Sequence, residues 1–144
     1  MRHVIFRIGS ERYGLPLAAV REVVEPAPMS RVPCSPEPVL GIMNLRGRVV
    51  TVVSLGALMG IEPAPAVGEA APAGKVVILD RGRRDLGLLV GEVDGVHTLG
   101  DLVAAPGEAF SAVRGVGRPQ TGGAVTVLEA EGLDRQIAAT FKGR

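Results

Sequence analysis

The stretch that decides the fold is Val39 to Leu55, VLGIMNLRGRVVTVVSL. Two apolar runs meet at Leu45-Arg46-Gly47-Arg48. Leu40, Ile42, Asn44 and Arg46 share one face of the first run, and Val39, Gly41, Met43 and Leu45 share the other. In the second run Val50 and Val52 lie opposite Val49, Val53 and Leu55. Both faces of both runs are apolar, which predicts strands covered on two sides rather than a free hairpin. A bare two-residue turn favours Asn-Gly or Asp-Gly. Here an arginine precedes the glycine, so the guanidinium is either a solvated turn residue or is presented to something.

Strand signals surround this stretch. Val4, Phe6 and Ile8 alternate with Ile5 and Arg7, Gly9 to Arg12 reads as a turn, and Tyr13, Leu15 and Leu17 alternate again. Pro16 places the second of these strands at an edge or near its end. Leu17 to Glu25 predicts a short helical turn leading into a strand. Five prolines between Glu25 and Pro38 predict a loop. Glu62 to Gly74, rich in Ala, Pro and Gly, predicts a mobile loop within one domain spanning 1–144. Lys75–Leu79 and Leu86–Val90 flank the charged Asp80–Asp85 and predict a hairpin. Val93 to Leu99 reads as a strand, and a last hairpin spans the turn Gly117 to Gly123. Leu133, Ile137 and Phe141 recur at helical spacing. Many short strands with regular turn signals predict an all-β barrel or sandwich. No sequence repeat is evident.

Composition narrows the functional classes. The chain has 144 residues, 47% hydrophobic and only 3% aromatic with no Trp, so its core is built from Val, Leu, Ile and Ala. The formal charge of +1 favours neither nucleic acid nor an anionic membrane. One cysteine, Cys34, allows no internal disulfide and suggests a reducing cytoplasm. The start of the chain does not read as a signal peptide, and the longest uncharged apolar run, Val49 to Ile61, is too short to span a bilayer as a helix.

Candidate chemistry is sparse. His3, His97 and Cys34 lack metal-ligand spacing, so no metal or cofactor is expected. Gly115, Gly117, Gly122 and Gly123 read as turn glycines, not a phosphate loop. Glu92 and Asp94 are paired carboxylates without partners for acid–base work. Arg81, Arg83 and Arg84 motivate one alternative, a small nucleic-acid-binding β-barrel. The aromatic platform such proteins use for stacking is missing. The residues point to a binding or scaffolding module rather than an enzyme.

The stretch Gly41 to Leu55, GIMNLRGRVVTVVSL, resembles the signature of CheW-like domains. Phe6–Glu25 resembles the family's opening hairpin and its Val-x-Glu step. Arg31–Gly41 resembles its Val-Pro-x-x-Pro approach. Leu86–Leu99 resembles its Gly-hydrophobic-Val-Asp-x-Val segment, and Val125–Leu133 its final strand and helix. The ordered set spans Val4 to Ile137. The resemblance implies two small five-stranded SH3-like β-barrels sharing a hydrophobic core, with short helices. It implies a non-enzymatic cytoplasmic adaptor that couples the cytoplasmic tip of methyl-accepting chemoreceptors to the regulatory domain of a CheA-type histidine kinase, with self-association in arrays as a further possibility. Position by position, it places Val20, Glu22, Gly41 and Arg46 at or beside partner-binding surfaces. Gly47 is expected to permit the turn, and Asp94 to support the structure. An internal Arg46–Glu22 pair stabilising the loop is the alternative to partner binding by Arg46, and Arg48 reads as a solvated strand residue. Thr51, Ser54 and Gly56 depart from the family's usual Pro, Asp and Arg.

Overall fold

A computed structural model describes residues 1–68, 70–80, 85–104, 112–119 and 122–142. Ten strands and two helices form in the order β1 (Arg2–Ile8), β2 (Glu11–Pro16), β3 (Val20–Val24), β4 (Val39–Leu45), β5 (Arg48–Ser54), α1 (Leu55–Leu58), β6 (Lys75–Leu79), β7 (Leu86–Val90), β8 (Val93–Thr98), β9 (Val113–Gly117), β10 (Val125–Leu128) and α2 (Ala130–Lys142). Pro16 closes β2, and a single 3-10 turn at Leu17–Ala19 leads into β3, as the local pattern predicts. The strands make two five-stranded sheets of orders β8-β1-β2-β10-β9 and β3-β6-β7-β5-β4.

The alternation that identified each hairpin also sorts the side chains into three cores. Val50, Val52, Val76, Ile78, Leu40 and Met43 fill the inside of the β3–β7 barrel. Ile5, Val125, Val127 and Leu99 fill the inside of the other. Phe6, Leu15, Leu55, Leu79, Leu88, Leu128 and Leu133 come from both sheets and helix α2 and make the core the barrels share. Burying each such side chain contributes roughly 1.5–3 kcal/mol. Phe6 and Tyr13 stack within it, ring centroids 6.4 Å apart. Leu133 and Ile137 dock α2 there. Ala64 and Val67, in the segment expected only to be a loop, pack against the β3–β7 core.

The two sheets repeat one plan. Reading β3, β4, β5, β6 and β7 as β8, β9, β10, β1 and β2 turns one strand order into the other. In each, one pair is parallel: β5 with β7, and β10 with β2. The registers agree residue by residue. Gly87 pairs with Ile78 and Val52, and Gly14 pairs with Ile5 and Val127. The pairing slips between Val20 and Glu22 on β3, leaving Arg21 as the extra residue. It slips at the equivalent place on β8, leaving Asp94. The outer edges are also joined alike. Ser30 bridges Ile42 of β4, and Val103 bridges Val116 of β9. Gly41 and Gly115 make both bridges possible. A Cβ on Gly41 would lie 2.4 Å from the Ser30 carbonyl oxygen, and one on Gly115 2.8 Å from that of Val103.

Candidate protein interface

The turn that opened the sequence question is a two-residue connection, since Leu45 pairs directly with Arg48. Arg46 has φ +51° and Gly47 φ +85°, the left-handed pair that a tight hairpin needs. Glycine adopts this at little cost, whereas arginine does so against its Cβ sterics. The Asn44 Oδ1 accepts a hydrogen bond from the Gly47 amide at 2.9 Å and braces the turn.

The strained residue is pointed across the barrel. Arg46 Nη2 donates to both carboxylate oxygens of Glu22, at 2.8 and 2.6 Å. Glu22 lies on β3, one edge of the sheet, and Arg46 follows β4, the other edge, so the pair joins the two margins. It does so in solvent: the side chains are 66% and 32% exposed. The Arg46 hydrogen bond holds the Glu22 carboxyl below its ordinary range, and the same bond raises the arginine.

A second set of charges stands beside this pair. Arg21, the extra residue of β3, reaches Asp85 at 2.8 Å and Asp80 at 3.7 Å. Arg48 reaches the same Asp85 oxygen at 2.7 Å. Arg48 is therefore exposed but ion-paired, not merely solvated. Asp85, read from the sequence as part of a charged tip, is nearly buried and ties β3 to β5 through these two arginines. Arg81, Arg83 and Arg84 lie outside the described residues. Two apolar side chains that adjoin these residues in sequence are open, Val23 and Val49, the latter 60% exposed. Alternation with Val53 and Leu55 had predicted Val49 to be covered. It sits at the end of the strand, beyond the reach of the shared core.

The other residues singled out in the sequence are dispersed. Val20 is half-buried and packs against the shared core close to Glu22. Gly41 is buried beneath the Ser30 backbone. Asp94 lies on the other barrel, 2.9 Å from Arg7 and 3.7 Å from Arg12. Cys34 is exposed, with φ +61°. His3 is buried and pairs across strands with His97. Among the described residues no three His, Cys, Asp or Glu side chains could hold a metal ion, and no helix is long and apolar enough to cross a membrane.

Residues 2–137 match the model of the CheW-like domain. The chain belongs to the CheW-like domain family. That is a family of non-catalytic adaptors. As a CheW-like domain it is 34% identical to the probable chemotaxis protein CheW of Rhizobium etli over 103 residues, 72% of this chain and 64% of that protein. It is 39% identical to the chemotaxis protein CheW of Helicobacter pylori over 62 residues, 43% of this chain and 38% of that protein. The matches thus span less than two thirds of these relatives' length. The scaffolding protein TtCheW from Thermoanaerobacter tengcongensis superposes with TM-score 0.74 at 24% identity, covering 88% of this chain and 87% of that one, and shows the same fold. The Ser54 hydroxyl, at one of the departures noted in the sequence, accepts from the Ala57 amide at 3.2 Å and caps α1.

Proposed function

We propose that this chain is a cytoplasmic, non-catalytic scaffold of a chemosensory array, coupling chemoreceptor cytoplasmic tips to the regulatory domain of a CheA-type histidine kinase. The observation that carries this reading is the Glu22–Arg46 pair. A non-glycine residue is held at φ +51° to keep a guanidinium in solvent. Structure alone does not call for that expense, because an exposed ion pair contributes little to stability. A partner carboxylate or carbonyl can take over the planar fork. Val23 and Val49 supply apolar contact beside it, and Val20 backs β3 from the core side. Gly41 acts indirectly, by letting the Ser30 segment lie on β4. Gly47 gives the turn its second left-handed residue, and Asp94 supports the other barrel. Association with further CheW-like domains fits the same module. No cofactor and no nucleic acid enter the mechanism.

The test is a pull-down of a chemoreceptor tip and a CheA-type kinase regulatory domain with the wild-type chain, Arg46→Glu, and the swap Glu22→Arg/Arg46→Glu. The single variant is expected to lose binding while melting near the wild type. The swap restores an internal pair and is expected to stay defective. Recovery of binding in the swap would assign the pair a purely structural role.

A further inference from the structure

Most described arginines of this chain are neutralised in place. Arg7, Arg12, Arg21, Arg46, Arg48 and Arg135 each face a carboxylate. Arg2, Arg31, Arg114 and Arg118 face none among the described residues; of these, Arg2 on β1, Arg114 near the start of β9 and Arg118 just past its end belong to the sheet that holds β8 and β9. There a cleft of about 690 Å³ opens between the end of β8 and the end of β9, lined by Val96, His97, Thr98, Leu99, Arg118 and Pro119. Arg2 stands in register with Thr98 on its rim. Arg114 is near enough to act on His3, which pairs with His97 at the cleft wall. Burial above all, with the Arg114 charge acting the same way, keeps His3 below the ordinary histidine range. Asp101, one residue past Gly100, is exposed and does not offset three cations.

We infer that this cleft is a second docking site, for an acidic protein segment that also carries apolar side chains. Uncompensated guanidinium groups recognise carboxylates, and Val96, 47% exposed, gives the occupant apolar contact. Nucleic acid is the poorer fit, since the cleft offers no Phe, Tyr or Trp ring for base stacking. At the equivalent end of the β3–β7 barrel, Val24, Ala27 and Leu45 pack against its core. The site is separate from the Glu22–Arg46 end, so it stands or falls independently of the proposed coupling function.

A short fluorescein-labelled peptide of alternating Glu and Leu is the probe, followed by anisotropy with the full chain. Saturable binding at about 50 mM salt is expected, weakening as salt rises. Arg114→Glu/Arg118→Glu is expected to weaken it about tenfold. Arg31→Glu, at an exposed arginine elsewhere, and Arg46→Glu are expected to leave it unchanged. The far-ultraviolet spectrum and melting curve of the double variant report that it is folded. Absent binding at low salt, equal binding to the folded double variant, or tighter binding to polyuridylate or to phosphatidylserine vesicles than to the peptide would each overturn the inference.

Discussion

Arg21 and Asp94 occupy one structural position twice, with opposite charge. Each is the extra residue where its strand slips register. Arg21 reaches Asp80 and Asp85; Asp94 reaches Arg7 and Arg12. Asp80 follows β6 as Arg7 ends β1, and Asp85 precedes β7 as Arg12 begins β2. The geometry of the bulge therefore asks for a salt bridge to the neighbouring hairpin and is indifferent to its polarity. Even the third partner has its counterpart. Asp85 takes Arg48, while Arg12 donates to the Gly123 carbonyl at 3.2 Å.

The two triads differ in burial, and that ranks their energetic weight. Asp85 is 13% exposed and Arg21 26%. Arg21→Ala leaves a mostly buried carboxylate with Arg48 alone and is expected to cost about 1 kcal/mol in urea unfolding. Arg7→Ala removes a more exposed partner and is expected to cost less. Equal midpoints for the two variants would contradict the ranking.

The local geometry requires Gly41 and Gly47 to different degrees. Gly41→Ala drives a Cβ into the Ser30 carbonyl, a backbone atom that cannot swing away. A loss of about 2–3 kcal/mol is expected, with the Ser30–Ile42 bridge opening to hydrogen exchange. Gly47→Ala meets no atom within 4 Å and carries only the strain of its positive φ, about 1 kcal/mol.

The carboxyl of Glu22 provides a pH readout. Its folded value lies below the ordinary 4.5 because Arg46 holds the charged form. The stabilisation is therefore complete above the unfolded value and disappears as pH falls through the folded one. A carbon-detected NMR titration is expected to place Glu22 below the ordinary glutamate value. In Arg46→Ala it is expected to rise. A Glu22 that titrates alike in the wild type and in Arg46→Ala would remove the pair from solution.

Arg46→Asn supplies the residue a tight hairpin prefers. Its melting temperature is expected to match or exceed that of the wild type, because the lost ion pair is exposed. Binding to chemoreceptor tip or kinase is expected to fall. A variant both less stable and fully competent to bind would reverse the reading of this turn.

Much of this was legible in the residues. Alternation marked the first hairpin, while those of β4 to β7 showed as short apolar runs flanking turns because these strands bury both faces. Glu22 and Arg46 could be matched as candidates through the resemblance of their flanking motifs, though not their contact distance. The Arg21–Asp85–Arg48 cluster was not legible, since its members come from three strands that meet only after folding. Val49 was misplaced because alternation tells which face a residue takes and not where a core ends. The duplicated plan was hidden for another reason. The second copy begins at β8 and finishes with β1 and β2, so no linear comparison aligns it. Only scattered identities survive, such as Gly14 with Gly87 and Val20 with Val93, while the bulge charge is reversed.

The sheet that holds β1 and β2 is completed by β8, β9 and β10. As the polypeptide leaves the ribosome, its first hairpin has no sheet to join, while β3 to β7 are contiguous and can assemble as they emerge. The opening hairpin waits for the closing strands, through contacts as distant as Tyr13 with Thr126. The domain's first-made hairpin is thus among the last to be secured, and a nascent chain halted before β8 would carry one finished barrel and one greasy orphan.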